Sequence, residues 1–428
     1  MLGTASGALA QSSSPLAADV QFRAEFMAVD RSYSDASRQA AERRLAALEA
    51  ALPTLTPPQF ELEIARIVAL ADNGHTNASA LVRARRHNRV AIRLAPFIGD
   101  FYVLRARGDN ADVLGARLVS IDGQPVAKLR EIAHGLTGGT AGFRDRAVPL
   151  LLESPELLHA AQVTAAAEGA TYVFELDGKR FERRLTAEAP DAAIPTLSAA
   201  LALYANPGVE EPEGWRGLLD PTAAPWALQD GAAKFRWRDA PELNAMVVEL
   251  RQNRSTPGHD IGDFQRAVQR ELRARQPTNL VLDMRMNGGG DLTTTRSFMS
   301  GLPGLVPGRI FVLTSPWTFS AAISSIGYLE QAAPDRVTIV GEEVGDRLEF
   351  WSEGRPVTLA RSGIVISRAT ERHDYATGCK PYKDCHGNVV RHPISVRTLE
   401  PNVAAPWTID MYRAGRDPAM EAVARLLK

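Results

Sequence analysis

The chain has 428 residues, 45% of them hydrophobic, and its 49 Lys and Arg against 50 Asp and Glu leave a net charge of −1 with a pI near 6.7. That is enough apolar material for two or three domains, and the balanced charge excludes the basic footprint of a nucleic-acid-binding protein. No apolar run reaches the ~18 residues that a membrane-spanning helix needs.

Residues 1–18 read as a leader. Ala8-Leu9-Ala10 resembles the end of a secretory signal and a Ser-rich stretch follows, but a basic n-region is missing. The stretch is either a shortened signal or a disordered start. Residues 19–88 form a helical domain: Ser37–Glu49 has apolar residues at helical spacing, Pro53, Pro57 and Pro58 end that helix, and Phe60–Ala71 make another.

From 89 to 190 the pattern changes to short strands and turns. Val90–Leu94 and Phe101–Leu104 alternate, Asp122-Gly123 marks a tight turn, and Tyr172–Leu176, Asp177-Gly178 and Phe181–Leu185 read as a hairpin. Residues 191–428 form the core, with a Pro-, Gly- and Trp-rich loop or insertion near 206–231. Strands at Phe235–Trp237, Ala245–Leu250, Leu280–Met284, Ile310–Leu313 and Val337–Val340 alternate with helices such as Ile261–Arg275. Such alternation predicts a multidomain α/β protein with a largely parallel layered core.

Two features of that core carry chemistry. The Leu280–Met284 strand runs into Gly288-Gly289-Gly290, where bare backbone N–H groups can face a cleft. The next strand breaks into Ser315-Pro316-Trp317-Thr318-Phe319-Ser320-Ala321-Ala322, which offers a hydroxyl at a strand-to-helix junction. Together they have the makings of an oxyanion hole and a nucleophile. The competing roles are a helix N-cap for Ser320 and a phosphate loop for the glycines. The latter lacks any Gly-x-Gly-x-x-Gly or Gly-Lys-Ser/Thr pattern.

Asp283-Met284-Arg285-Met286-Asn287-Gly288-Gly289 resembles the Asp-x-Arg-x-Asn-x-Gly-Gly signature of the C-terminal-processing (tail-specific) serine peptidases. Further pieces follow the family's order: Asp72-Asn73-Gly74-His75-Thr76, a PDZ-like element around Gly115–Val126, Thr318–Ala322, Val340–Gly345 with Val344 in place of a threonine, and Gly415–Ala422. The resemblance implies a PDZ-like domain over 89–190 and a catalytic core of the crotonase/ClpP kind. It implies a serine peptidase with Ser320 as nucleophile and backbone N–H groups of Gly288, Gly289 and Ala321 as the oxyanion hole. No cofactor or metal is expected.

One branch of the family uses a lysine base soon after the strand-end glycine. This chain has Gly345-Asp346-Arg347 there and no lysine between Ser320 and Lys380; arginine stays protonated. The histidine-using, tricorn-like branch maps its base onto His75, whose pKa suits proton shuttling. Asp374 is the chosen acidic partner, with Glu371, Asp346 and Glu343 as other candidates and Asn73 or Thr76 as possible helpers. Ile323 stands where relatives often carry glutamate. The expected partner is a peptide or protein, possibly captured by its C-terminus. The alternative is a non-catalytic peptide- or lipid-binding protein on the same core; a crotonase-like acyl-transfer enzyme is disfavoured by the PDZ-like insertion. Cys379 and Cys385 share a short loop. A disulfide is favoured over a zinc site with His373, His386 or His392, because the spacing matches no common zinc signature. A disulfide and a signal-like start point to a periplasmic or secreted protein.

Overall fold

The computed structural model describes residues 19, 26–190, 197–209, 213–380 and 382–428; the leader expected over 1–18 lies outside them. Two helices, Asp35–Ala51 and Pro57–Ala69, begin at side-chain caps. Ser34 caps the first, and Thr56 with Gln59 forms a capping box on the second, whose first residue is a proline. The second helix buries Phe60, Leu62, Ile64 and Ile67. These pack with Ile92, Phe101, Leu118 and Phe174 of the β-rich segment and with Ile364 and Ile366 near the far end of the chain, in one apolar cluster. The helical and β-rich segments thus share a core.

The β-rich segment is built on antiparallel pairs, including Ile92–Phe97 with Asp100–Arg107 and Gly169–Leu176 with Lys179–Glu188. The expected loop or insertion near 206–231 contains a short strand among its described residues. Trp215–Gly217 adds a strand beside Asp100–Arg107, and the guanidinium of Arg93 lies 4.5 Å from the Trp215 ring centre.

The core is a six-stranded sheet in the order Phe235–Ala240, Ala245–Leu250, Asn279–Asp283, Ile310–Thr314, Val337–Gly341, Val403–Ala404. The first pair is antiparallel and the rest are parallel. Alternate residues enter different apolar clusters: Met246, Leu280, Leu282, Ile310 and Val312 on one face, Val247, Val281, Phe311, Leu313 and Val340 on the other. Both faces are covered, which is why these strands read as unbroken apolar runs. Ile261–Arg275 and Ala321–Ala332 cover the first face, and Pro418–Leu426 the second.

Asn279–Asp283 and Ile310–Thr314 are parallel neighbours, with Asp283 opposite Leu313. Their carboxyl ends therefore open on the same edge, and the loops leaving them meet. The front of the chain is stitched to the back by Asn77–Ala78, which pairs with Val365–Ser367. That pairing brings His75 to the core. No helix among the described residues is long and apolar enough to cross a membrane.

Candidate active site

The glycine loop is held from beneath by a buried charge cluster. Arg285 donates through Nε and Nη2 to Asp283 at 3.0 and 2.6 Å and through both Nη atoms to Asp417 at 2.9 Å. Burial opposes ionisation of Asp283, yet Arg285 wins and holds its carboxyl below the usual range. Trp407 covers the guanidinium at 4.6 Å. The Asp-x-Arg part of the signature is therefore structural: it ties the strand end to the C-terminal helix.

Asn287 joins the two motif loops. Its Oδ1 accepts from Gly289 N–H at 2.9 Å, its backbone carbonyl accepts from Phe319 N–H at 2.9 Å, and its Nδ2 donates to Asn253 Oδ1 at 2.9 Å. Asn253 in turn donates to the Ala321 carbonyl at 2.7 Å. Thr318 Oγ1 donates to the Met284 carbonyl at 2.9 Å and Ser315 Oγ to that of Arg285. Gly289 has φ +90°, and a Cβ there would lie 2.7 Å from Ser320 Cβ and 2.9 Å from Ala321 N. The glycine is required because the Phe319–Ala321 turn lies directly on it.

Ser320 has φ 58° and ψ −128°, a conformation that L residues rarely adopt. It precedes the Ala321–Ala332 helix, yet its side chain makes no cap hydrogen bond. Ser320 thus holds the N-cap position without side-chain capping, and its hydroxyl is left available. As the first helical residue, Ala321 has no intrahelical acceptor for its N–H. Gly289 N–H is turned to Asn287 Oδ1, and Gly288 N–H donates to the Arg251 carbonyl at 3.3 Å. Of the three expected oxyanion donors, only Ala321 N–H makes no hydrogen bond among the described residues.

His75 sits in a loop fixed by its neighbours. Asn73 exchanges hydrogen bonds with the backbone of Trp351 at 2.9 and 3.1 Å, and Thr76 Oγ1 donates to Asp30 at 2.9 Å. The imidazole is clamped between Phe319, 4.5 Å away, and Phe350, 4.9 Å away. The structure thus brings His75 against the residue next to Ser320. Neither ring nitrogen makes a hydrogen bond, and both are buried; the Ser320–His75 bond is not formed.

Asp346 Oδ2 lies 3.3 Å from His75 Nδ1, and its side chain is 2% exposed. It is placed there by Gly345, whose N–H donates to the Thr318 carbonyl at 2.8 Å. A Cβ on Gly345 would stand 2.1 Å from the Pro316 carbonyl oxygen, so only glycine permits this approach. Asp374, the acid chosen from sequence, is not brought to His75. Its carboxylate accepts from Ala376 N–H and Thr377 N–H, both at 2.9 Å, and from Thr377 Oγ1. That is a local turn role. Glu371 bonds to His386 at 2.7 Å and Glu343 is exposed.

Cys379 and Cys385 form a disulfide, and no cluster of metal ligands occurs among the described residues. Arg146 stands over the rings of Phe143 and Phe319 at 4.8 and 5.7 Å. Burial pulls its pKa down to about 10, with Asp346 acting against that shift, so it stays charged at neutral pH. Sequence reasoning missed Asn253 and the two phenylalanines of the clamp. The one available signal for Asp346 was the glycine before it.

No family model matches the chain, and no curated protein matches it. Among solved structures, it is similar to mature CPAF complexed with lactacystin, with a TM-score of 0.60 and 13% identity over 97% of each chain. Mature CPAF gives the same TM-score and identity, over 97% of this chain and 96% of that one. A photosystem II D1 C-terminal processing protease aligns over 94% of this chain and 98% of its own at 15% identity, but its TM-score of 0.36 is too low to carry weight. Likeness at such identity concerns architecture and not chemistry. Over nearly its whole length, the chain is similar in fold to mature CPAF.

Proposed function

We propose that the chain is a serine peptidase of the tail-specific, histidine-using kind. Ser320 is its nucleophile, His75 its general base and Asp346, in place of Asp374, the residue that orients the imidazole. The observation that carries this reading is the meeting of three groups from distant parts of the chain. A strained, non-capping serine lies on a glycine loop, the His75 ring packs on the adjacent Phe319, and a buried carboxylate sits 3.3 Å from the imidazole Nδ1.

In the proposed reaction Ser320 Oγ attacks a peptide carbonyl carbon while His75 Nε2 takes the hydroxyl proton. The carbonyl oxygen becomes the oxyanion and is held by Ala321 N–H. Gly289 N–H joins it after leaving Asn287 Oδ1. One such donor is worth about 3–4 kcal/mol of transition-state stabilisation. Collapse breaks the C–N bond, the imidazolium returns the proton to the leaving amine, and water then releases the acyl group with the same base. His75 must move into reach of Oγ when substrate binds, as loosely aligned bonds in free enzymes commonly do.

By the same proposal, the 89–190 segment is a PDZ-like module that takes a substrate C-terminus as an added strand. The disulfide fits an exported, oxidising setting. A fluorophosphonate probe tests the central claim. Labelling of the folded chain that vanishes in Ser320→Ala and falls steeply in His75→Ala supports a peptidase. No labelling from neutral to alkaline pH would instead favour a binding protein on this fold.

A further inference from the structure

A cavity of about 240 Å³ opens beside the nucleophile turn. Its walls include Phe97, Leu203, Trp317 and Trp407, with Ile98 at the mouth and Glu342 lining it. It is smaller than the ~300 Å³ at which whole-ligand pockets begin, so its scale is that of one side chain. Trp317 is three residues from Ser320, at most about 11 Å along the chain. A peptide held at Ser320 therefore passes within reach.

The cavity holds an unusual group. Glu342 makes no side-chain hydrogen bond or ion pair among the described residues, although it is half-buried. The other charges around the cavity are mostly engaged. Asp145 is bound by Arg130 and by His134 at 2.7 Å, and Arg146 donates to the Pro316 carbonyl at 3.3 Å. Arg285 lies behind Trp407 and is matched by Asp283 and Asp417. Glu343 is exposed at the rim. With Asp145 already matched by Arg130 and His134, the lining leaves two carboxylates, Glu342 and Glu343, beside the single cation Arg146. Ile98, in the two-residue hairpin turn with Gly99, puts a 64% exposed aliphatic side chain beside the cavity.

We propose that this cavity is a subsite for an organic cation on an aliphatic stem, a lysyl or arginyl side chain of the peptide substrate, with Glu342 as the specificity-determining residue. The aliphatic stem is covered by Phe97, Leu203 and Ile98. The cationic head meets Glu342 and the indoles of Trp317 and Trp407, whose faces attract cations. The assignment rests on the peptidase reading for its role in cleavage, but binding at the cavity does not require catalysis.

Binding is linked to pH. Burial raises the Glu342 carboxyl to about 7, with Arg285 acting in the opposite direction. The subsite takes a cation only with Glu342 ionised, so affinity rises as pH climbs through 7 and is lost below it. Of the other groups facing Glu342 across the cavity, Arg146 keeps its charge through this range, Asp145 is held below the usual carboxylate range by His134 and Arg130 despite its burial, and Glu343 lies at the open rim. His134 stands behind Asp145 at 2.7 Å, and the Glu342 variant separates its effect.

The test uses the full chain carrying Ser320→Ala, titrated with N-acetyl-lysine methylamide and its uncharged isostere N-acetyl-norleucine methylamide, read by tryptophan fluorescence and calorimetry. Expected is at least tenfold tighter binding of the lysine compound at pH 8, with the preference lost at pH 6 and in Glu342→Gln. Equal binding, tighter binding of norleucine, or no binding of the lysine compound up to 10 mM overturns the subsite. Should the glutamine variant fail to fold, the two-pH comparison decides alone. Because Ser320→Ala is inert by design, failure here leaves the peptidase reading intact. Failure of fluorophosphonate labelling in the native chain leaves the cavity's cation preference intact.

Discussion

Gly289→Ala is the sharpest perturbation of the proposed site. The added methyl would stand 2.7 Å from Ser320 Cβ, 2.8 Å from the Phe319 carbonyl oxygen and 2.9 Å from Ala321 N, at a residue with φ +90°. None of these neighbours is a flexible side-chain end. The left-handed backbone costs about 1–2 kcal/mol for an L side chain, and overpacking adds about 1–3 kcal/mol. The sum, roughly 2–5 kcal/mol, is relieved most readily by moving the Ser320–Ala321 turn off the loop. A displacement of that kind separates nucleophile from oxyanion donor, and misplacement by about 1 Å costs on the order of 100-fold in rate. The assay is the second-order rate of fluorophosphonate labelling, with thermal unfolding measured in parallel. Gly301→Ala is the control: the residue is exposed at a helix end and a Cβ there meets nothing within 4 Å. Labelling of Gly289→Ala within threefold of the native chain, with an unchanged melting temperature, would refute the claim that the nucleophile turn bears on this glycine.

Asp346→Asn should lower the labelling rate about 10²–10⁴-fold by presenting the wrong partner to the imidazole, while Asp374→Asn should act on stability, by about 1–3 kcal/mol in urea unfolding, because it weakens a buried turn. Arg285→Lys loses the paired contacts to Asp283 and Asp417 and should destabilise the chain by about 3–5 kcal/mol, the cost of breaking a buried ion cluster. Glu342→Gln should do the reverse at alkaline pH. Burial raises the folded-state pKa from 4.5 to about 7, so the native state holds the proton more tightly than the unfolded chain. Stability then falls as pH rises from about 4.5 through 7, and removing the charge should recover about 3 kcal/mol at pH 8 and nothing at pH 4. A gain that is the same at both pH values would show that Glu342 is not the group responsible.

The layout of the candidate site was legible where it depends on main-chain geometry. Glycines after one parallel strand and a serine after the next converge whenever the two strands are neighbours, and the apolar runs Leu280–Asp283 and Ile310–Thr314 announced such strands. The three-residue strand Trp215–Gly217 was not legible, being too short for alternation to register in a Pro- and Gly-rich stretch. The acid was ambiguous because separation along the chain says nothing of which carboxylate faces an imidazole. The local pattern carried more information than the spacing: Asp374 precedes Ala376 and Thr377, whose amides it binds, whereas Asp346 follows a glycine that only a close approach to Pro316 requires.

What no residue pattern announced is how His75 is held. Phe143, Phe319, His75, Phe350, His373 and His386 form one stack, with successive ring centres 4.6, 4.5, 4.9, 4.8 and 5.3 Å apart. The rings come from the β-rich segment, the nucleophile turn, the His75 loop and the Glu349–Glu353 and Ala369–Asp374 strands, and the stack ends beside the disulfide loop at His386. Each aromatic pair adds about 0.5–1.5 kcal/mol beyond its burial, so the stack fixes the plane of the imidazole. A clamp made of faces leaves the edges of a ring free, and here neither His75 nitrogen makes a hydrogen bond, although Asp346 lies 3.3 Å from Nδ1. In the proposed mechanism, a base that accepts a proton at Nε2 while answering to a carboxylate at Nδ1 needs that freedom in the plane and restraint out of it. Hydrogen bonds at the ring edges would restrain the imidazole in the opposite sense. The aromatic clamp and the ring nitrogens without hydrogen bonds are thus two aspects of one arrangement: stacking restrains His75 out of its plane and leaves its edges, one of them facing Asp346, free within it.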